Sequence, residues 1–161
     1  MRTLALLLLL AAPACAAAPA AKKCEPQKVP AAKKIAMTMP DGKKVKIDLV
    51  DTPATREIGL MCVRKMPRDY GMLFAFPQDM HLGFWMKNTL VPLDIIWIGA
   101  DKRITVIHER LPASTVDTPD DKVATAAGRG QFVLELAAGE ADRRALKPGD
   151  LLKFEAPIPA K

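Results

Sequence analysis

Charged and aromatic side chains crowd one stretch of this chain. Between Arg56 and Asp94 stand Arg56, Arg64, Asp69, the run Phe84-Trp85-Met86-Lys87-Asn88-Thr89 and then Pro92-Leu93-Asp94, all set among apolar residues. A Lys or Arg in such surroundings needs a carboxylate or a ligand anion, because an unpaired buried charge is costly. In an extended segment Trp85, Lys87 and Thr89 share one face, and Phe84, Met86 and Asn88 the other. Trp85 and Lys87 on one wall of a cleft would stack on a sugar or aryl ring and hold a carboxylate or phosphate. The plainer reading puts Trp85 in the core and makes Lys87 an internal ion-pair partner of Asp94 or Glu135. That reading is preferred for Trp85, whereas Lys87 stays open between the two. Asp94 heads an apolar run and needs a donor, for which Arg56 or Lys87 is the obvious candidate. Asn88, with two donors and an acceptor, reads first as the cap of a turn before Pro92. Glu135, inside Val133-Leu134-Glu135-Leu136, either joins the same site or faces solvent from an antiparallel strand. The candidate ligand-binding residues are therefore Arg56, Trp85, Lys87, Asn88, Asp94 and Glu135, and no catalytic residue is assigned.

Other chemistries find little to stand on. The only serine is Ser114, there is no G-x-S-x-G, and neither a P-loop nor a dinucleotide fingerprint occurs. His81 and His108 lie far apart and form no H-x-x-x-H pair, so both read as ordinary loop or surface residues. Met61, Met72 and Met86 would suit a soft metal, but methionine is more often a core gap-filler. No metal and no cofactor is expected. An enzyme acting on a glycan through Asp94 and Glu135 would need the two carboxyl groups roughly 5–10 Å apart.

The elements that must position these residues are short. Val45, Ile47 and Leu49 alternate with Lys44, Lys46 and Asp48, a half-buried strand, and Pro40-Asp41-Gly42 turns it back on a partner beginning at Ile35. Thr52-Pro53 starts a helix reaching about Met61, weakened by Gly59. Extended segments are expected at Gly71 to Phe76, closed by Pro77, at Gly83 to Thr89, and at Asp94 to Ile98 with a hairpin partner from Ile104 to Arg110. Leu111 to Gly130 reads as a long loop. A strand at Gln131 to Leu136, a short helix from Gly139 to Leu146 and a last strand at Leu151 to Phe154 complete about seven strands and two helices. The fold class is α+β, mostly β: a small, partly closed antiparallel, barrel-like sheet with two short helices. No repeated β-α-β pattern argues for a parallel sheet.

The motif block resembles a known family. Gly59-Leu60-Met61, Gly71-Met72-Leu73-Phe74, Phe84-Trp85-Met86-Lys87-Asn88-Thr89 and Pro92-Leu93-Asp94 look like the signature of the bacterial and archaeal family called domain of unknown function 192. Phe132-Val133-Leu134-Glu135-Leu136 with Ala138-Gly139, and Pro148-Gly149-Asp150, resemble its closing motifs. The resemblance covers about Ile35 to Phe154. One departure is that Cys62 and Val63, two residues rather than one, separate Met61 from Arg64. The resemblance implies a small β-rich extracytoplasmic domain and no known activity.

Residues 1–18 read as a signal peptide: Met1-Arg2, an apolar run from Leu4 to Ala12, then Ala16-Ala17-Ala18. Ordinary cleavage near Ala18 is preferred over a lipoprotein box in which Cys15 would carry a lipid anchor. No other segment is long enough for a membrane helix. Residues 19–34 form a basic Ala/Pro/Lys linker, and residues 35–161 the β-rich domain. The net charge of +6 sits mostly ahead of that domain, because from Ile35 onward 18 basic residues face 17 acidic ones. With no aromatic residue among the linker lysines, nucleic acid is not expected as a partner. Cleavage would leave Cys24 and Cys62, an even pair in an oxidising compartment, suited to a disulfide. The favoured function is a non-enzymatic extracytoplasmic binding domain, periplasmic or secreted. Its ligand would be a small anionic or carbohydrate-like molecule or an envelope component. A structural or protein-partner module comes second and a carboxylate-dependent glycan enzyme third. The oligomeric state is left open.

Overall fold

The structure is a computed structural model that describes residues 23–26 and 32–160. The expected signal peptide, Cys15 and much of the linker lie outside the described residues.

Local signals place the first elements where the sequence puts them. β1 (Lys33–Thr38) and β2 (Lys44–Val50) pair antiparallel through a turn in which Gly42 takes φ 76°. The alternating side chains of β2 bury Val45, Ile47 and Leu49. Thr52 caps α1 (Pro53–Ile58): its hydroxyl accepts from the Thr55 amide at 3.2 Å, and the Thr55 hydroxyl accepts from the Thr52 amide at 3.1 Å. Gly59, at φ 48°, ends the helix.

α1 then does what the sequence reading did not anticipate. It lies in a crossover that returns the chain to the same end of the sheet, so β3 (Tyr70–Trp85) runs parallel to β2. The stretch between them is long enough for such a connection. β4 (Leu93–Ile98), β5 (Ile104–Leu111) and β6 (Thr125–Ala137) complete a mixed six-stranded sheet in the order β1-β2-β3-β6-β4-β5. The fold is α+β and mostly β, as expected, with short helices at α1 and α2 (Glu140–Arg143). The barrel-like closure is corrected: the sheet is an open row whose edges are β1 and β5. Residues near the C-terminus shield both ends in part. Thr38 and Lys153 exchange main-chain hydrogen bonds of 2.8 and 3.0 Å, and the Leu152 amide donates to Lys102 O at 3.0 Å.

Two further differences concern β3 and β6. Pro77 does not close a strand. The β3–β6 register shifts between Ala75 and Met80, and the proline falls in that irregularity, where no ladder donor is needed. β6 begins at Thr125, inside the expected loop. Its small residues permit close packing: a Cβ on Gly128 would meet Trp97 Cγ at 2.7 Å, and one on Gly130 would meet Ile98 O at 2.6 Å.

Both faces of the sheet carry a core. Ile47, Leu73, Ile96, Phe132, Leu134 and Leu136 pack on one side. Met72, Phe74, Ile95, Trp97 and Val133 pack on the other, together with Leu60 just past α1. The candidate site lies on the second face.

Candidate functional site

α1 stands over the second face without filling it. Between α1 and β3 opens a cleft of about 720 Å³. Pro53, Ile58 and Met61 form one wall, Phe74, Phe76 and Phe84 the other, with Arg56 and Trp85 at the rim. The aromatic wall is built edge to face: Phe84 lies 4.9 Å from Phe74, 6.5 Å from Phe76 and 5.7 Å from Trp97, centroid to centroid. Behind it a smaller cavity of about 50 Å³ shares Arg56, Phe74, Phe84 and Trp85 and adds Leu60, Lys87, Thr89 and Glu135.

Four of the six candidate residues therefore converge: Arg56, Trp85, Lys87 and Glu135 all border this inner cavity. Trp85 is not a core residue. It is 54% exposed, because it ends β3 where the strand outruns its neighbour β2. Lys87 Nζ sits 5.8 Å from its ring centroid and pairs with Asp120, ahead of β6, rather than with Asp94 or Glu135. Arg56 lies 4.8 Å over Phe76. Its Nη1 donates to Asp51 O and to Ala75 O, both at 2.9 Å, which ties α1 to β2 and β3. Burial draws its pKa below the ordinary range, and Asp51 opposes this.

Glu135 is the most unusual group. It is 6% exposed, lies in register with Met72 and Ile95, and its Oε2 has no hydrogen-bond partner among the described residues. It does not face solvent. Burial pushes its carboxyl from 4.5 up to about 8, so it is protonated at neutral pH and can donate. The charge of Glu135 also helps raise Tyr70, behind burial and Asp48.

Asp94 and Asn88 belong elsewhere. Asp94 is fully buried, and neither Arg56 nor Lys87 serves it. Its carboxylate accepts from the amides of Arg110 at 2.8 Å, Gly139 at 3.1 Å and Ala141 at 2.8 Å, pinning the start of α2 to β4 and β5. It projects to the first face, between Leu93 and Ile95 of the second, whereas Glu135 shares the second face with Val133. The two carboxyl groups thus lie on opposite sides of the sheet and cannot act as a pair. Asn88 does not line the cleft. It holds φ 52°, and its carbonyl accepts from the Cys62 amide at 2.8 Å.

Cys24 and Cys62 form a disulfide, with Cα atoms 5.3 Å apart. Arg64 reinforces it by donating to Cys24 O at 3.0 Å. The bridge ties Cys24 to the residue that follows Met61 of the cleft wall. What the sequence reading missed was the wall itself: Ile58, Phe74, Phe76 and Phe84 carry no polar signal, and their spacing suits core as well as cleft. No described group of three or more His, Cys, Asp or Glu is placed to hold a metal, and no described helix is long and apolar enough to cross a membrane.

The chain is similar to known proteins. The profile of the family described as an uncharacterized ACR, DUF192, matches residues 35–154. The chain belongs to the DUF192 family. That span carries the whole sheet from Ile35, the cleft and the Pro148-Gly149-Asp150 turn. A crystal structure of a protein from Sinorhizobium meliloti 1021, provisionally assigned as a transcription regulator, is 34% identical with a TM-score of 0.63. The match covers 75% of this chain and 92% of that one. A crystal structure of a protein of unknown function from Novosphingobium aromaticivorans DSM 12444 is 31% identical, also with a TM-score of 0.63. There the match covers 83% of this chain and 94% of that one. Among curated proteins none matches.

Proposed function

We propose that this DUF192 chain is an extracytoplasmic, non-enzymatic binding domain, and that its ligand enters the cleft between α1 and β3. The ligand combines a flat sugar or aryl face with polar or anionic substituents. One observation carries the reading: Trp85 holds an exposed indole beside Lys87 at the rim of an aromatic cleft. An exposed tryptophan stands against the usual preference of so large an apolar surface for burial. Stacking a ring on it while Lys87 exchanges the exposed Asp120 for an anionic group of the ligand accounts for both side chains. The leader composition and the Cys24–Cys62 bridge support an oxidising compartment.

Trp97 is buried, so of the two tryptophans Trp85 reports on the cleft. Titration of the disulfide-bonded chain with oligosaccharides, sugar phosphates and aromatic carboxylates should quench or shift its fluorescence. Trp85→Ala and Lys87→Gln should weaken binding at least tenfold while the protein stays folded. A panel that leaves fluorescence and melting temperature unchanged at millimolar concentration refutes the reading. Intact mass of the native protein reports cleavage near Ala18 against lipidation at Cys15.

A second reading, a structural or partner-binding module, draws on Arg56, whose Nη1 is committed to two main-chain carbonyls. It predicts that Arg56→Ala destabilises the fold and that nothing small binds. Nucleic acid is not proposed as a partner, despite the assignment of the Sinorhizobium protein. From Ile35 onward the charge is close to neutral, and helices of six and four residues are too short to read a groove.

A further inference from the structure

We infer that the inner cavity at Glu135 is a specificity pocket for an N-acyl group, so that the cleft selects an N-acetylated amino sugar over the plain sugar. This rests on the cleft being a ligand site and names the class of ligand. Glu135 is more than nine-tenths buried, lines the cavity, and leaves Oε2 without a partner. A buried polar atom left unpaired is a standing cost that a ligand can remove.

The chemistry of the walls decides which ligand group fits. About 50 Å³ of space for a water-sized sphere exceeds what a single water needs and suits a group of about three non-hydrogen atoms. Leu60, Met61 and Phe74 offer an apolar lining for a methyl. The neutral carboxyl of Glu135 offers a donor for a carbonyl oxygen. A carboxylate is the poorer occupant. Of the neighbouring cations, Lys87 pairs with Asp120 and Arg56 commits Nη1 to two carbonyls. A second acid entering beside Glu135 would set two carboxyl groups side by side, where both cannot ionise. Gly59, which also lines the cavity, adds no side chain to obstruct it. With the acetamido group seated inside, the sugar ring reaches the rim, where the Trp85 indole is exposed.

The test compares triacetylchitotriose with cellotriose, which differ only in the 2-acetamido groups, on the disulfide-bonded chain at pH 6. The acetylated sugar should bind at least about tenfold tighter, the combined effect of one hydrogen bond and one buried methyl. Glu135→Gln keeps a donor and should keep the preference. Glu135→Leu should lose it. Raising the pH above 9 should erode the preference in the wild type and not in Glu135→Gln. Equal affinity for the two sugars, or a preference that survives Glu135→Leu, overturns the inference and leaves the cleft as a ligand site. Binding of neither sugar also overturns it. The cleft reading itself falls only if the aromatic carboxylates and sugar phosphates fail as well.

Discussion

Replacing Glu135 by Gln should make the protein more stable, by an amount that grows as the pH rises above 4.5. Gln has nearly the shape of the protonated acid but cannot ionise. In the unfolded chain Glu135 loses its proton near 4.5, and in the folded chain near 8. Between these values the folded state holds a proton that the unfolded state has released, so stability falls as pH rises. Below 4.5 the fold bears no such cost, and above 8 the loss is complete. The span from 4.5 to about 8, at about 1.4 kcal/mol per pH unit, amounts to on the order of 5 kcal/mol. Urea unfolding of both proteins at intervals from pH 4.5 to 9.5, without reductant, measures it. The two should agree within about 1 kcal/mol at pH 4.5 and diverge steadily, with Glu135→Gln ahead by several kcal/mol at pH 9. Other ionisable groups, Tyr70 included, remain in both proteins and largely cancel. Parallel profiles would mean that Glu135 ionises as an exposed acid does, and the account of a neutral buried donor would be wrong.

Three further outcomes follow from the packing. Reducing the disulfide, or replacing both cysteines by serine, should cost about 4 kcal/mol for a bridge spanning 38 residues, read as a lowered urea midpoint. Asp94→Ala should strip three amides, one buried and two partly buried, of their acceptor and cost about 3 kcal/mol. Hydrogen exchange should then show the loss first at residues 138–146. Gly130→Ala drives a Cβ to 2.6 Å from Ile98 O and should destabilise by about 2 kcal/mol or more, visible as a lowered melting temperature.

Features encoded by neighbouring residues could be read from the sequence. Thr52-Pro53 announces α1 because cap and donor lie three residues apart. The β1–β2 hairpin is as local, and the β4–β5 pair has its turn at Gly99 to Lys102. The parallel β2–β3 pair was not legible, since a single crossover helix leaves no repeating pattern. Thr125 to Gly130 looked like a loop because its glycines are small. Their size is demanded by Trp97 and Ile98, which lie on another strand. At the site, the sequence groups Arg56, Trp85, Lys87 and Glu135 with Asn88 and Asp94 and gives no geometry that separates the last two from the rest. The burial of Glu135 had a signal in its wholly apolar neighbours. The role of Asp94 had none, because its partners are main-chain amides 16 to 47 residues away.

The disulfide also decides how the domain would bear a load. β1 is an edge strand held by β2 and, at its far end Thr38, by Lys153, so tension arriving at Lys33 would peel it off one hydrogen bond at a time. Tension on the chain ahead of Cys24 takes another route. It crosses the covalent bridge to Cys62 and enters the protein between α1 and β3, bypassing β1 altogether. The point of entry adjoins Met61 in the cleft wall, so a pull on the chain ahead of Cys24 would bear on the cleft before it reached the sheet.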